Sequence, residues 1–315
     1  MAQLGSVPAL GAGGRGFKSP LPDDGHMKVR FAISPGFGPP DLERFAAMVD
    51  RAEALGLDGL WFSDLPTVPS LDPFLAVAFA ASRTSRLKLG TNLVPFGYEP
   101  FVFARQLAQL DRVTGGRLLV TLVPGLDLPG ERAALGIGRA HRGRMLDTRL
   151  PALRAWLAGE EVAPDGETPV SLPVLPMQQP LEIWLGGTGP QAVTRAGRFA
   201  DGWLGGHMPP AQAADLRSRI DVAAADAGRA IDPEHFGLSL AYARNEDALA
   251  VSASRPASGS GPIEPVPVGR DALRSLVGRL VDVGLSKFVV RPAAPVTDWP
   301  TELTWLADTV LDLQT

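Results

Sequence analysis

Short apolar segments alternate with longer segments of helical periodicity along most of the chain. The short segments are rich in Val, Leu, Phe and Trp, which predicts strands buried on both faces. The longer ones space apolar residues three and four apart, as in Leu42, Phe45 and Val49. The predicted strands cover 27–35, 60–63, 87–96, 117–125, 181–187, 202–206, 236–243 and 287–292. The predicted helices cover 40–56, 72–85, 99–116, 141–159, 189–200, 210–228, 270–284 and 301–313.

Strands that alternate with helices in this way predict an α/β protein with a parallel sheet covered by helices. The number of repeats favours a (β/α)8 TIM barrel, and an open doubly wound sheet is the alternative. We expect two insertions, after strand 4 at 126–180 and after strand 7 at 245–268. The second is rich in Ser, Pro and Gly, which predicts a segment of low order. In a barrel the active site lies at the carboxyl ends of the strands, so the residues that follow each strand are the candidates.

Composition narrows the classes of function. Residues 1–26 lack apolar periodicity and end in Gly-His-Met, which predicts an expression tag or disordered segment before a single barrel domain at 27–315. The net charge of −4 argues against nucleic acid or a membrane surface as the main partner. No apolar run reaches the roughly 18–20 residues that span a bilayer. The chain has no Cys, which excludes thiolate nucleophiles and Cys-ligated metals. We therefore expect a cytoplasmic protein.

A glycine-rich turn lies between the fifth strand and the helix after it. The strand ends in Gly186, Gly187, Thr188 and Gly189, and the helix begins at Pro190. Glycines let the backbone approach a ligand closely, and a helix start presents free N–H groups. This pattern predicts an anion site, most naturally for phosphate. A tight turn that binds nothing is the structural alternative.

Few side chains in the sequence are candidates for acid–base chemistry. Asp64 follows the second strand and His207 follows the sixth, so both are candidate catalytic residues. His141 begins a helix, where it could be a cap, and His235 precedes the seventh strand, where we expect a structural role. The histidines are not paired at metal-ligand spacing, so no metal site is predicted. Three arginines lie at the start of the long helix, at Arg139, Arg142 and Arg144. They suit either a solvated helix start or a clamp for cofactor anions.

Several segments together resemble the luciferase-like flavin oxidoreductases, and more closely the branch that uses the deazaflavin F420. The similarity runs from Met27 to about Leu313. The family fold is a (β/α)8 barrel with insertions, which agrees with the pattern of strands. The segments that carry the resemblance are "AEALGLDGLWFSD", "LKLGTNLVPFGYEPFVFARQLAQLDRVTGGRLLVTLVPG", "HRGRMLDTRLPALRAW", "LEIWLGGTGPQAVTRAGRFADGW" and "VGRDALRSLVGRLVDVGLSKFVVRP".

The resemblance implies cofactor-binding roles for three strand ends. The Gly186–Gly189 turn matches the backbone that holds the phosphate tail of F420 or FMN. Asn92 and Leu93 match the place where F420-dependent relatives have a non-prolyl cis peptide behind the deazaflavin ring. Such a bond costs about 3–4 kcal/mol, and an ordinary bulged strand end is the alternative. Gly125 matches a further cofactor contact after strand four.

Two departures from the family pattern concern the proton carriers. Many relatives have Asp-His after the second strand, where this chain has Asp64-Leu65. Several F420-dependent relatives have Glu after the fourth strand, where this chain has Leu126 followed by Asp127. Asp64, Asp127 and His207 remain as substitutes, unless the reaction needs no protein acid. An acid in an apolar mouth could have a raised pKa and donate a proton.

The apolar residues at the strand ends predict that the substrate is apolar. Phe37, Leu65 and Phe96 are expected to line an apolar substrate pocket. The resemblance implies hydride transfer between C5 of coenzyme F420 and an apolar organic small molecule. An FMNH2-dependent monooxygenase of the same fold, with FMN as cofactor, and a flavin- or F420-binding protein without catalysis are the alternatives. A homodimer is one option, because dimers are common in the family.

Overall fold

Parallel strands and helices alternate along the chain and close into a (β/α)8 TIM barrel, as predicted. The computed structural model describes residues 27–38, 40–126, 128–138, 141–252 and 264–315. The strands are β1 Arg30–Ile33, β2 Gly59–Ser63, β3 Lys88–Leu93, β4 Leu118–Leu122, β5 Ile183–Leu185, β6 Gly202–Gly205, β7 Phe236–Tyr242 and β8 Lys287–Pro292. The helices are α1 Leu42–Leu55, α2 Pro73–Arg83, α3 Pro100–Val113, α4 Pro129–Ala134, α5 Arg142–Leu157, α6 Pro190–Phe199, α7 Pro210–Asp226, α8 Glu246–Ser252, α9 Gly269–Asp282 and α10 Trp299–Val310. Short 3₁₀ turns cover Pro95–Gly97 and Leu311–Leu313.

The strand register decides which side chains point into the barrel. Each strand pairs in parallel with the next, and β1 pairs with β8 to close the ring. Ser63 pairs with Asn92, Asn92 with Thr121, and Thr121 with Trp184, so these residues form one row across β2 to β5. Because side chains alternate between the two faces of a strand, the row shares one face of the sheet.

The barrel interior is filled by side chains. A cluster of inward-facing residues packs around Trp61 and Trp184. Gly90 on β3 leaves space for the Trp61 ring, because a Cβ at that position would overlap it. Below this layer the buried Lys287 ammonium bonds to Asp58, and burial lowers the pKa of Lys287. These side chains therefore fill the lower end of the barrel, and the carboxyl ends of the strands form the opposite end, which we call the mouth.

The larger part of the core lies between the strands and the helices. Leu60 and Phe62 of β2 belong to this outer cluster, whereas Trp61 between them faces inward. Acidic caps fix the helix starts at the same end of the barrel as the mouth. Asp41 accepts a hydrogen bond from the Arg44 N–H at the start of α1, and Asp72 accepts from the Phe74 N–H at the start of α2.

Both predicted insertions are present, with one correction. The insertion after β4 holds α4 and α5, and α4 was missed in the sequence. The insertion after β7 holds α8, and Val268 forms an isolated bridge with Ala243. The predicted low order of 245–268 is therefore wrong for α8 and for Val268, because both form regular backbone structure. Residues 253–263 lie outside the described residues, as does the predicted tag at 1–26.

The helices cover the outside of the barrel. Within the described ranges, no helix is both long enough and apolar enough to cross a membrane. The helices instead present one apolar face to the barrel, as Met48, Val49 and Ala52 of α1 do.

Candidate active site

The mouth of the barrel has a polar floor. Ser63, Asn92 and Thr121 lie side by side on the inner face of β2, β3 and β4. The Trp61 Nε1–H donates to Asn92 Oδ1 at 3.0 Å, and Asn92 Nδ2 donates to Ser63 Oγ at 3.1 Å. Ser63 and Asn92 are half-buried, and Thr121 is fully buried. Sequence reasoning assigned a role to Asn92 and missed Ser63 and Thr121.

The Asp64 carboxyl lies on the outer face of β2. Its side chain follows Leu60 and Phe62 in the alternation and points toward the helices, where it is 7% exposed. Asp64 Oδ2 accepts from the Val94 N–H at 3.2 Å. Burial raises the pKa of Asp64 to about 6, with a further rise from Asp72, while hydrogen bonds from Val94 and Tyr98 lower it. This pKa suits a proton carrier, but the carboxyl points away from the mouth, so the catalytic role of Asp64 stays a prediction.

His207 lies just beyond β6 and is partly buried. Its Nε2 lies 3.0 Å from the Glu264 carbonyl oxygen, which can only accept a hydrogen bond. Nε2 therefore carries the proton, and Nδ1, which is buried, has no partner among the described residues. Burial lowers the pKa of His207, which favours the neutral ring. Neutral His207 can accept a hydrogen bond at Nδ1. Its catalytic role stays a prediction.

The glycine turn after β5 is open on one side. Gly187 has a φ of 113°, which favours glycine, and its carbonyl accepts from Trp203 Nε1 at 3.0 Å. Thr188 and Gly189 are exposed, and a Cβ at Gly189 would meet nothing within 4 Å. Within the described part of the chain, the backbone N–H groups of Thr188 and Gly189 donate no hydrogen bond. Gly186 is buried, and a Cβ there would lie 2.8 Å from Val123 Cγ1. The turn thus offers backbone donors and space at the start of α6, which fits an anion.

The Asn92–Leu93 peptide is trans, so the predicted cis bond is wrong. The cis bond within the described residues is Gln179–Pro180. Regular hydrogen bonds hold both carbonyls of this strand end: the Asp64 N–H donates to Asn92 O at 2.8 Å, and the Val123 N–H donates to Leu93 O at 2.9 Å. The ladder continues to the end of β3 without a bulge. Asn92 faces the mouth, whereas the Leu93 side chain is buried against the helices.

The loop after β4 is held by two charged side chains. Arg142 Nη1 donates to the carbonyls of Pro124, Gly125 and Leu126 at 2.7, 3.0 and 2.9 Å. Glu131 of α4, which is 1% exposed, accepts from the Leu126 N–H at 2.9 Å. A Cβ at Gly125, where φ is 71°, would overlap the Glu131 carboxylate. Arg142 therefore holds this loop and is not merely a solvated helix start, while a contact of its guanidinium with cofactor anions stays a prediction.

The predicted pocket residues do not all lie together. Phe37 is half-buried beside the mouth, where the Arg291 guanidinium lies 6.0 Å from its ring centre. Leu65 is half-buried in the loop after β2. Phe96 is 4% exposed and packs in the core between strands and helices. Phe37 and Leu65 therefore lie in loops that follow strands, where their part in a substrate pocket stays a prediction, whereas Phe96 packs behind the strands.

Several site residues escaped the sequence reasoning, although some carry a signal. Ser63 ends an apolar strand, and Arg291 follows the apolar residues of β8, which is a readable pattern. Glu131 belongs to a short helix that periodicity does not reveal. His141 caps α5 by accepting from the Arg144 N–H, which agrees with the capping role considered for it. The predicted proton carrier Asp127 and the cation Arg139 lie outside the described residues.

Metal binding has no cluster to support it in the described ranges. No group of three or more His, Asp or Glu side chains there is arranged to hold a metal ion.

Solved structures with the same fold include cofactor-dependent enzymes. An F420-dependent secondary alcohol dehydrogenase with an F420–acetone adduct has a TM-score of 0.77 and 16% identity, over 92% of this chain and 100% of that chain. The F420-dependent tetrahydromethanopterin reductase of Methanopyrus kandleri has a TM-score of 0.74 and 18% identity, over 91% and 100%. The FMN-bound oxygenating constituent of 3,6-diketocamphane monooxygenase from Pseudomonas putida has a TM-score of 0.68 and 14% identity, over 90% and 96%. At these identities the likeness concerns the fold.

The family is established by sequence. The model of the luciferase-like monooxygenase family matches residues 25–279, which includes the first seven strands and the glycine turn. The chain belongs to the luciferase-like monooxygenase family.

Proposed function

We propose that this protein is an F420-dependent oxidoreductase that transfers a hydride between the deazaflavin C5 and an apolar organic substrate. The observation that carries the proposal is the open Gly187–Gly189 turn at the end of β5, with unused backbone donors at the start of α6. Family membership and the fold shared with F420-dependent enzymes support it. The resemblance of the mouth segments to the F420 branch favours this cofactor over FMN.

The residues present fit a phosphate-bearing cofactor. The Thr188 and Gly189 N–H groups would hold the phosphate, and Gly186 keeps the strand end free of side-chain atoms. The bound deazaflavin would supply the carbon that gives or accepts the hydride. Asn92 is half-buried on the floor of the mouth and would contact the ring there.

The protein's own part is to bind, orient and exclude water. Leu65, Val123 and Phe37 would give the mouth an apolar border, which would suit an apolar substrate and keep solvent from the reacting atoms. His207 is neutral and offers an acceptor at Nδ1. Asp64 and His207 remain the proposed proton carriers, with Asp64 placed behind the mouth.

A second candidate is an FMNH2-dependent monooxygenase. The same turn would hold an FMN phosphate, and the fold is shared with an FMN-bound monooxygenase. The trans Asn92–Leu93 peptide removes one feature that would have favoured F420. A flavin- or F420-binding protein without catalysis is a third candidate, because the familiar His and Glu are replaced by Leu65 and Leu126.

A turnover screen tests the proposal. The purified protein is mixed with reduced F420 and a panel of neutral ketones, enones and imines, and loss of reduced F420 is followed by absorbance. We expect oxidation of reduced F420 that depends on at least one apolar member of the panel. Oxygen consumption with reduced FMN, and no reaction with reduced F420, would favour the monooxygenase instead. Binding of cofactor without turnover of any compound would support the non-catalytic candidate.

A further inference from the structure

The floor of the mouth contains a directional chain of hydrogen bonds formed by Trp61, Asn92 and Ser63. The indole Nε1–H of Trp61 can only donate, so the Asn92 atom at 3.0 Å is the carbonyl Oδ1. The amide Nδ2 then points to Ser63 Oγ at 3.1 Å, and donates to it. The chain therefore runs from Trp61 through Asn92 to Ser63, and its direction is fixed by the donor-only indole.

Because Ser63 accepts the last hydrogen bond of this chain, its own hydroxyl proton is available to another group. A hydroxyl that accepts a hydrogen bond from Asn92 still has one O–H to donate. In the described ranges, no acceptor lies within hydrogen-bond distance of this proton. Ser63 is half-buried at the end of β2, on the inner face of the barrel, so the donor is directed into the mouth. Chains of this kind polarise the terminal hydroxyl and strengthen its donation.

The surroundings of Ser63 indicate which kind of acceptor its hydroxyl would bind. Thr121, next to Asn92 in the row, is fully buried, and its Oγ1 has no partner in the described part of the chain. Leu65 and Val123, each two residues after a floor residue along the chain, are apolar. A neutral oxygen acceptor suits a donor in such surroundings, because a buried charge without a counter-ion is strongly disfavoured. The carbonyl oxygen is the common acceptor of this kind in ketones, enones and flavin-like rings.

We infer that the Ser63 hydroxyl, oriented by Trp61 and Asn92, donates a hydrogen bond to a carbonyl oxygen of the molecule held in the barrel mouth. The inference rests on the proposed function, because it assumes that the mouth holds the cofactor ring and the substrate. Ser63 binds the oxygen directly and Asn92 is a positioning residue. The hydroxyl donates a hydrogen bond only, and no bond of the ligand is broken by it. The donor lies two positions before Leu65, where many relatives carry a histidine.

The test is a set of fluorescence titrations in two arms. In the first arm, F420 and FMN are each titrated into the wild-type protein, Ser63→Ala and Ser63→Thr. In the second arm, the protein saturated with oxidised cofactor is titrated with the neutral enone 2-cyclohexen-1-one. A response in the first arm assigns the carbonyl to the cofactor ring, and a response in the second assigns it to the substrate. Ser82→Ala, which removes an exposed hydroxyl on α2, is the matched control.

We expect Ser63→Ala to weaken binding by about fivefold to tenfold in one arm, the value of one net hydrogen bond. Ser63→Thr should restore it, because threonine keeps the hydroxyl, and Ser82→Ala should bind as the wild type does. Unchanged binding of Ser63→Ala in the first arm, with no Ser63-dependent binding in the second, overturns the inference. Wild-type protein that binds neither F420 nor FMN overturns the proposed function itself.

A double-mutant cycle tests the direction of the chain. Asn92→Asp keeps an acceptor for Trp61 and replaces the amide donor by a carboxylate oxygen, so the Ser63 hydroxyl would donate to the new carboxylate rather than to the ligand. We expect Ser63→Ala to have no further effect on binding in the Asn92→Asp background. An effect of Ser63→Ala as large there as in the wild type would show that Asn92 does not orient the hydroxyl.

Discussion

The chemistry of the Asp64 side chain depends on the face of β2 from which it extends. Ser63, one residue earlier, faces the mouth, whereas Asp64 faces the helices and ends the β2–β3 ladder by accepting from the Val94 N–H. Burial is the main reason that its pKa rises to about 6. The raised value means that the folded protein holds this proton more tightly than the unfolded chain does.

Replacing Asp64 with Asn should change the pH dependence of stability. Between the unfolded pKa of 3.8 and the folded pKa of about 6, wild-type stability falls as pH rises, because the unfolded carboxyl ionises first. We expect Asp64→Asn to melt at a higher temperature than the wild type at about pH 8, and by a clearly smaller margin at about pH 4.5, where only part of this loss has occurred. Scanning calorimetry at both pH values measures this difference.

The control for this prediction is Asp226→Asn, which removes an exposed carboxylate at the end of α7. An Asp64→Asn difference that is the same at both pH values would contradict the assigned pKa. Turnover of the same variant tests the role predicted from the sequence. Loss of turnover with cofactor affinity retained would support Asp64 as a proton carrier, and full activity would leave it as a structural acid.

Thr121→Val should stabilise the ligand-free protein. The fully buried Oγ1 has no partner among the described residues, and a buried hydroxyl without a hydrogen bond costs about 1–3 kcal/mol. We expect a rise in melting temperature of about 2–6 °C. Thr114→Val is the matched control and should lower the melting temperature, because the buried Thr114 hydroxyl donates to Asp111 O at 2.8 Å. Equal destabilisation by both variants would show that Thr121 has a partner.

Gly189→Ala tests the phosphate turn. Gly189 has a φ of −69°, which alanine adopts readily, and its Cβ would enter open space. We expect the melting temperature to change little and the affinity for F420 to fall about tenfold, because the new methyl group fills space beside the free N–H groups. Gly278→Ala on α9, which also enters open space, should leave the affinity unchanged. Wild-type affinity in Gly189→Ala would place the phosphate elsewhere.

At the scale of elements, α5 fixes the loop after β4. Arg142, the first residue of α5, donates to three successive carbonyls of that loop from one nitrogen. Glu131 of α4 holds the same loop from the other side through the Leu126 N–H. The loop that borders the mouth is therefore shaped by two helices of the insertion.

Arg142→Met should loosen this loop. Hydrogen bonds to a charged group contribute about 1.5–3 kcal/mol, so we expect a fall in melting temperature of about 3–10 °C. The affinity for cofactor should fall as well, because Gly125 is a predicted contact. Arg105→Met, on α3 and exposed, is the control and should resemble the wild type in both measurements. A normal melting temperature for Arg142→Met would show that these carbonyl contacts do not stabilise the loop.

The elements were largely readable from the sequence, but their faces were not. The predicted strand at 60–63 matches β2, yet Trp61 and Phe62 are both apolar and point to opposite faces. Parallel barrel strands are buried on both faces, so the alternation that would have placed Ser63 inward and Asp64 outward is hidden. The contact of Arg142 with the loop at 124–126 depends on tertiary structure, and no local pattern reports it.

At the scale of the whole molecule, the barrel was predictable because each βα repeat carries its own signal. Hydrophobic strands, acidic helix starts such as Asp72, and the glycine turn before α6 are all local features. The filled lower end was not predictable, because it depends on Lys287 of β8 meeting Asp58 before β2. The cis peptide that the family resemblance implied at Asn92–Leu93 was wrong. This peptide is trans, and backbone hydrogen bonds from the two neighbouring strands hold its ends.

The side-by-side fluorescence titration of the purified protein with F420 and with FMN tests the central claim most directly. The account predicts that F420 binds at least about tenfold more tightly than FMN, and that Gly189→Ala weakens this binding. Tight binding of FMN with no binding of F420 would contradict it.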